Sequence, residues 1–163
     1  MPPSIAGGGQ ELGRRGGSEN VSGIVGFGLA TELSAGELAR AGELADKRDR
    51  MEADLRAAMP DVRIFGAQVP RLPNTSCFGL AGLHGETVVM ALDLAGISVS
   101  AGAACSSGKV SRSHVLDAMG IEHDVSSGAI RVSLGRDTDD GACDRLVENW
   151  LKQAAKPRRT AAL

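Results

Sequence analysis

The spacing of hydrophobic positions predicts a long helical region before any strand. Between residues 20 and 59, apolar side chains recur 7, 4 and 4 positions apart among charged ones, as in an amphipathic helix: Leu44, Met51, Leu55 and Met59. Pro60 ends this region, because the residue before a proline avoids helical geometry. Gly36 and Gly42 weaken a helix interior, so residues 20–59 form either one bent helix or two consecutive helices.

Shorter segments of alternating character follow. Strands are predicted over residues 62–65, 75–80, 97–100 and 129–134, where apolar positions alternate or cluster between turn residues. Helices are predicted near residues 84–95, over 113–119, and from Asp139 onward. The last helix presents one apolar face: Cys143, Leu146, Val147, Trp150, Leu151 and Ala154. This order of elements is typical of an α+β fold, with helices packed on one small sheet.

Composition favours one domain preceded by an arm. The 163 residues include 42% hydrophobic ones, enough for a single core. Six of the 22 glycines fall in the first seventeen positions, where little can be buried. We predict that residues 1–30 are a glycine-rich remnant of a larger domain, followed by the start of the long helix. Residues 31–163 are predicted to form the compact α+β unit.

Several classes of function are disfavoured. A net charge of −2 and 2% aromatic residues argue against nucleic-acid binding, and no apolar stretch approaches the ~20 residues that span a membrane. The three histidines have no metal-ligand spacing, so no metal site is predicted. The cysteines at 77, 105 and 143 fit neither a disulfide framework nor a metal site. With no secretion signal at the N-terminus, a cytoplasmic location is expected.

Cys105 is the strongest candidate for chemistry. It lies among small residues in Ser100-Ala-Gly-Ala-Ala-Cys-Ser-Ser-Gly108, and Lys109 and Arg112 follow closely. Nearby cations and exposure lower a thiol pKa below its free value of about 8.5, which favours a nucleophile. The alternative is a small buried core residue, the commoner fate of a free cysteine. Composition alone leaves both interpretations open.

Three segments together resemble the cysteine desulfurases of the NifS and IscS type, within the class V aminotransferase family. They are the glycine-rich residues 7–20, the cysteine segment 96–108 with its continuation to Gly120, and Ile130-Arg-Val-Ser-Leu-Gly-Arg136. Arg71-Leu-Pro-Asn74 and Gly85-Glu86 fall between them in the family's order. The resemblance covers nearly the whole chain. It implies the C-terminal small domain of the fold-type I transferase fold that uses pyridoxal 5′-phosphate.

The resemblance also implies an activity. These enzymes convert L-cysteine to L-alanine with pyridoxal phosphate, which serves as an electron sink. They hold the sulfur on an enzyme cysteine as a persulfide, and by position that residue is Cys105. A sulfur-acceptor protein, such as an iron–sulfur scaffold, then receives the sulfur. The family is homodimeric.

Two further residues take roles from the resemblance. Arg131 aligns with the arginine that holds the substrate carboxylate, and a guanidinium fork suits that group; the alternative is a surface ion pair. Ser18 occupies the place of a family threonine that reaches the cofactor phosphate of the neighbouring subunit. The alternative for Ser18 is an ordinary helix cap.

The chain departs from the family in lacking the lysine that binds the cofactor. Its four lysines are Lys47, Lys109, Lys152 and Lys156, and none follows a histidine as the family's lysine does. Two hypotheses follow. Either the chain is the catalytic-cysteine part of a desulfurase and needs a complementing N-terminal half, or it is an inactive relic that at most accepts sulfur or binds a subunit.

Overall fold

The computed structural model describes residues 2–101 and 113–156. By its internal contacts the chain divides into two units, Met1–Arg40 and Ala41–Leu163. The boundary predicted between residues 30 and 31 falls inside a helix of the first unit and stays a prediction.

The first unit consists of the glycine-rich arm and one helix. A short 3-10 helix, Gln10–Gly13, precedes helix α1, Val21–Ala39. Asn20 caps α1, since its side-chain oxygen accepts a hydrogen bond from the Gly23 amide at 3.2 Å. No residue of α1 is buried, and its exposed side chains include seven large apolar ones: Val21, Ile24, Val25, Phe27, Leu29, Leu33 and Leu38.

Residues 20–59 contain two consecutive helices, one of the two predicted arrangements. Helical geometry is lost at Arg40, between the two glycines that were expected to weaken it. Helix α2, Ala41–Ala58, opens the second unit. Its buried residues are Arg48, Met51, Glu52 and Leu55.

The second unit contains one antiparallel sheet of four strands. These are β1 (Arg63–Ile64), β2 (Thr75–Gly79), β3 (Ser100–Ala101) and β4 (Ile130–Ser133), in the spatial order β1-β2-β4-β3. The helices between and after them are α3 (Gly85–Leu94), α4 (His114–Ala118), α5 (His123–Ser127) and α6 (Asp140–Ala154). The predicted α+β class is confirmed.

One face of the sheet carries the main core. Phe78 and Ile130 are fully buried on this face and pack in the same cluster as Met51 of α2. Trp150 of α6 is also fully buried, and its ring meets that of Phe78 edge-on with centroids 5.4 Å apart. The predicted apolar face of α6 is confirmed, with five of its six residues buried and Leu151 packed against the core.

Two elements differ from expectation. The strand predicted over residues 97–100 begins only at Ser100. Ile97 and Val99 lie in the loop before it and pack against the core. The Ile97 amide donates a hydrogen bond to the Leu92 carbonyl. Helix α5 was not predicted, since His-Asp-Val-Ser-Ser carries no apolar period. Within the described ranges, no helix has the length and apolar character needed to cross a membrane.

Candidate functional site

Arg131 lies at the middle of the sheet, on the face opposite the main core. It is exposed, while its neighbours Ile130 and Val132 are buried. Its register partners are Cys77 on β2 and Ser100 on β3. Among the described residues, no acidic side chain lies within 4 Å of its guanidinium. The ion-pair alternative for Arg131 therefore finds no partner in this part of the chain.

Cys77 stands beside Arg131 on the same face. It is half-buried and packs against a small cluster formed by Phe65, Leu116 and Ala129. Burial raises the pKa of the Cys77 thiol to about 11, although the Arg131 charge acts in the opposite direction. Cys77 is therefore a protonated thiol at neutral pH. It borders this second cluster rather than the main core.

Cys105 lies outside the described residues, so the structure does not test its predicted role. Ala101, the last residue of β3, ends the described range that precedes Cys105. Ser100, one residue earlier, is paired with Arg131.

A buried carboxylate contacts the core face of β2, opposite Arg131, and sequence reasoning missed it. Glu52 of α2 is 2% exposed and accepts hydrogen bonds from both terminal nitrogens of Arg71, at 2.6 and 2.7 Å. Ser76 of β2 donates a third hydrogen bond to it at 2.7 Å. Burial by itself would raise the pKa of Glu52, but these hydrogen bonds and the charges of Arg71 and Arg48 outweigh it and lower the pKa.

A signal for this cluster was present in the sequence. Arg71 belongs to the Arg-Leu-Pro-Asn segment that carries part of the family resemblance. An acidic residue on the apolar face of α2, next to Met51, is costly to bury unless it is paired. Together, these two observations could have suggested that the buried acidic residue is paired with an arginine, but they do not establish Arg71 as that arginine.

Ser18 lies in the first unit and is exposed. Asn20, two residues later, caps α1, so the helix-cap alternative for Ser18 is wrong. The backbone carbonyl of Ser18 accepts a hydrogen bond from the Arg15 guanidinium. Gly17, just before it, has a φ of +84°, a conformation that a glycine adopts without strain.

The three lysines in the described part of the chain each donate a hydrogen bond within the second unit. Lys47 donates to the Thr138 carbonyl at 2.6 Å, while Lys152 and Lys156 bond side chains three residues earlier. Lys109 lies outside the described residues. In the ranges the structure covers, no cluster of three or more histidine, cysteine or acidic side chains could hold a metal ion.

Cys143 lies on the buried face of α6, where it was predicted. It is 4% exposed, and burial raises the pKa of its thiol. It borders a pocket of about 210 Å³ between α6, the end of β4 and the loop before β3. This pocket adjoins Val132 of β4, whose side chain faces away from that of Arg131, and Leu134 just beyond the strand.

Comparison with known proteins identifies the family. The aminotransferase class-V family model matches residues 6–146, and the chain belongs to this family. It is 47% identical over 146 residues to a cysteine desulfurase of Cereibacter sphaeroides, which covers 90% of the chain. It is 44% identical over 149 residues to cysteine desulfurase IscS 1 of Archaeoglobus fulgidus, which covers 91%. The resemblance to cysteine desulfurases is confirmed.

Solved structures agree. A NifS-like protein from Rickettsia africae superposes with a TM-score of 0.78 at 31% identity, covering 93% of this chain and 39% of that one. The cysteine desulfurase CsdA of Escherichia coli gives a TM-score of 0.64 at 23% identity, which supports the fold alone. The chain spans 37% of the length of the Cereibacter relative.

Proposed function

We propose that this chain is the part of a cysteine desulfurase that binds the substrate carboxylate and carries the sulfur-accepting cysteine. One observation carries the proposal: the strand that leads to Cys105 is paired, at Ser100, with Arg131. The residue proposed to hold L-cysteine and the segment proposed to take its sulfur thus start from neighbouring strands. The relatives at 44–47% identity are cysteine desulfurases, which supports the same substrate.

Arg131 would fix the substrate through its carboxylate. Its guanidinium is exposed and has no acidic partner among the described residues, so its donors are available for a bidentate pair. Charge-assisted hydrogen bonds contribute roughly 1.5–3 kcal/mol each. Arg131 is therefore expected to affect substrate binding rather than the chemistry at sulfur.

Cys105 would be the nucleophile. Its thiolate attacks the sulfur of L-cysteine, so that an S–S bond forms as the substrate's C–S bond breaks. The electron pair of the broken bond stays with the carbon skeleton, which takes up a proton and leaves as L-alanine. The enzyme retains the transferred sulfur as a persulfide and passes it to an acceptor protein, such as an iron–sulfur scaffold.

The residues of this chain fit one end of pyridoxal phosphate, the cofactor that the family implies. The exposed Ser18 hydroxyl, next to glycines, suits the phosphate group. The lysines at 47, 152 and 156 lie in the second unit and donate hydrogen bonds there, and none of the four lysines of the chain follows a histidine as the family's cofactor lysine does. When bound, the cofactor supplies the electron sink for the carbon chemistry. We infer that the lysine that binds the cofactor belongs to polypeptide outside this chain. We also infer that the complete enzyme is a homodimer.

A chimera tests the proposal. The chain replaces the matching 37% of the Cereibacter sphaeroides cysteine desulfurase, and alanine formation from L-cysteine is measured. Arg131→Gln should raise KM at least about tenfold, as expected for a loss near 1.4 kcal/mol, with a smaller change in kcat. Arg145→Gln, an exposed arginine on α6, is the matched control. An active chimera in which both variants have the wild-type KM would overturn the role of Arg131.

A second candidate function is a sulfur-accepting or subunit-binding module without catalysis of its own. It is favoured by the sequence, in which none of the four lysines follows a histidine as the family's cofactor lysine does. The two candidates differ in the chimera. A desulfurase part makes alanine there, whereas a relic leaves the chimera inactive although it folds.

A further inference from the structure

Glu52 connects α2 to the beginning of β2. Its carboxylate is 2% exposed and takes all three of its short hydrogen bonds from residues 71–76, two from Arg71 and one from Ser76. Arg48, one turn earlier on α2, donates to the Leu72 carbonyl at 2.6 Å. The helix thus holds the loop before β2 at Arg71 and Leu72, and β2 itself at Ser76.

The same loop is joined to the end of β4. The Leu134 amide donates to the Asn74 carbonyl at 2.8 Å, and the Asn74 side chain donates back to the Leu134 carbonyl at 3.2 Å. In the sheet, Ser76 is paired with Val132, and the adjacent pair is Cys77 with Arg131. The position of β2 therefore determines that of Arg131, because the Cys77–Arg131 pair directly follows the Ser76–Val132 pair.

We propose that Glu52 is a positioning residue: its buried carboxylate holds Arg71 and Ser76, and through the β2–β4 register it sets where Arg131 meets the substrate carboxylate. This inference rests on the proposed function of Arg131. A buried charge is costly unless it is paired, as Glu52 is with Arg71. A role in placing β2 gives a reason for its presence.

Arg71 is the specific partner, and not simply a nearby positive charge. It forms a two-pronged pair with Glu52, whereas the Arg56 guanidinium is 3.9 Å away from the same carboxylate. Two parallel hydrogen bonds fix direction as well as distance. Ser76 then adds a contact from the strand itself.

The first test uses the chain itself and measures amide hydrogen exchange. Ser76→Ala removes the link from Glu52 to β2 but leaves the Arg71 pair, so it should fold even if Glu52→Gln does not. We expect exchange at Arg131 and Val132 to accelerate about tenfold while the α6 amides change little. Val147→Ala, a buried residue of α6, is the control and should accelerate α6 instead. Equal acceleration of both elements by Ser76→Ala would overturn the proposal.

The second test uses the chimera described above and separates KM from kcat. Ser76→Ala should raise the KM for L-cysteine about threefold or more and leave kcat within about twofold, because a displaced arginine weakens binding of the carboxylate. An unchanged KM in an active chimera would also overturn it. If the wild-type chimera makes no alanine, the proposed function fails, and the exchange experiment still decides whether Glu52 positions β4.

Discussion

Replacing the Glu52 carboxylate by an amide removes one charge from a buried pair while keeping the shape of the side chain. In Glu52→Gln, the amide NH₂ faces one of the Arg71 donors, and the guanidinium keeps only the more distant Asp49 carboxylate, 3.9 Å away, as a counter-charge. Breaking a fully buried pair in this way costs about 3–5 kcal/mol. Arg71 is 19% exposed and keeps some contact with water, so we expect a loss of about 2–3 kcal/mol in the free energy of unfolding.

Trp150 provides the assay. It is the single tryptophan and is fully buried against Phe78, so its fluorescence reports unfolding of the second unit in urea. Asp54→Asn, an exposed acidic residue two positions along the same helix, is the matched control and should change stability by less than about 0.5 kcal/mol. A loss below about 0.5 kcal/mol in Glu52→Gln would refute the energetic account of the pair.

The pH dependence gives a second check on the same variant. The folded-state pKa of Glu52 lies below the ordinary value of 4.5, so the carboxylate stabilises the fold fully above that value. This contribution is lost as the pH falls through the folded pKa. The stability gap between wild type and Glu52→Gln should therefore be largest at pH 7 and shrink below pH 4.5. A gap that stays constant down to pH 3 would contradict the direction of the shift.

Three other predictions concern the cysteines, catalysis and the first helix. In the folded chain at pH 8, iodoacetamide should label Cys105 faster than Cys143 or Cys77. The Cys77 thiol, with a pKa of about 11, is only roughly one-thousandth thiolate at this pH. Equal labelling of the three cysteines would count against an accessible Cys105. The purified chain alone should make no alanine from L-cysteine and show no Schiff-base absorbance with pyridoxal phosphate, and measurable turnover would contradict this. The chain should self-associate, because Phe27 of α1 is 78% exposed among other apolar side chains; Phe27→Ser should reduce its sedimentation coefficient, and a monomeric wild type would oppose the idea.

Local patterns were enough to predict much of the fold. Helix α6 followed from an apolar face that recurs at helical spacing, and β4 from strict alternation between Ile130 and Ser133, because burial on one side produces each pattern directly. The helix predicted over residues 113–119 is also present as α4, and the hydroxyl of its cap, Ser113, accepts a hydrogen bond from the Leu116 amide. In each case, neighbours within a few residues determine the structure.

Features that depend on distant contacts could not be predicted in the same way. Ile97 and Val99 look like a strand, yet they pack on the core from a loop, and pairing with β4 begins only at Ser100. The Glu52–Arg71 pair joins residues 19 positions apart, and it forms only because the intervening segment folds back onto α2. For the candidate site, the sequence indicated Arg131 but not its register partners Cys77 and Ser100.

The most direct test of the account is the fate of the substrate's sulfur. The chimera is incubated with L-cysteine in the absence of an acceptor, and the peptides that contain Cys77, Cys105 and Cys143 are examined by mass spectrometry. We predict that the Cys105 peptide alone gains one sulfur atom, and that Cys105→Ser abolishes both this gain and alanine formation. Alanine formation without added sulfur on Cys105, or with the sulfur on Cys77, would contradict the account.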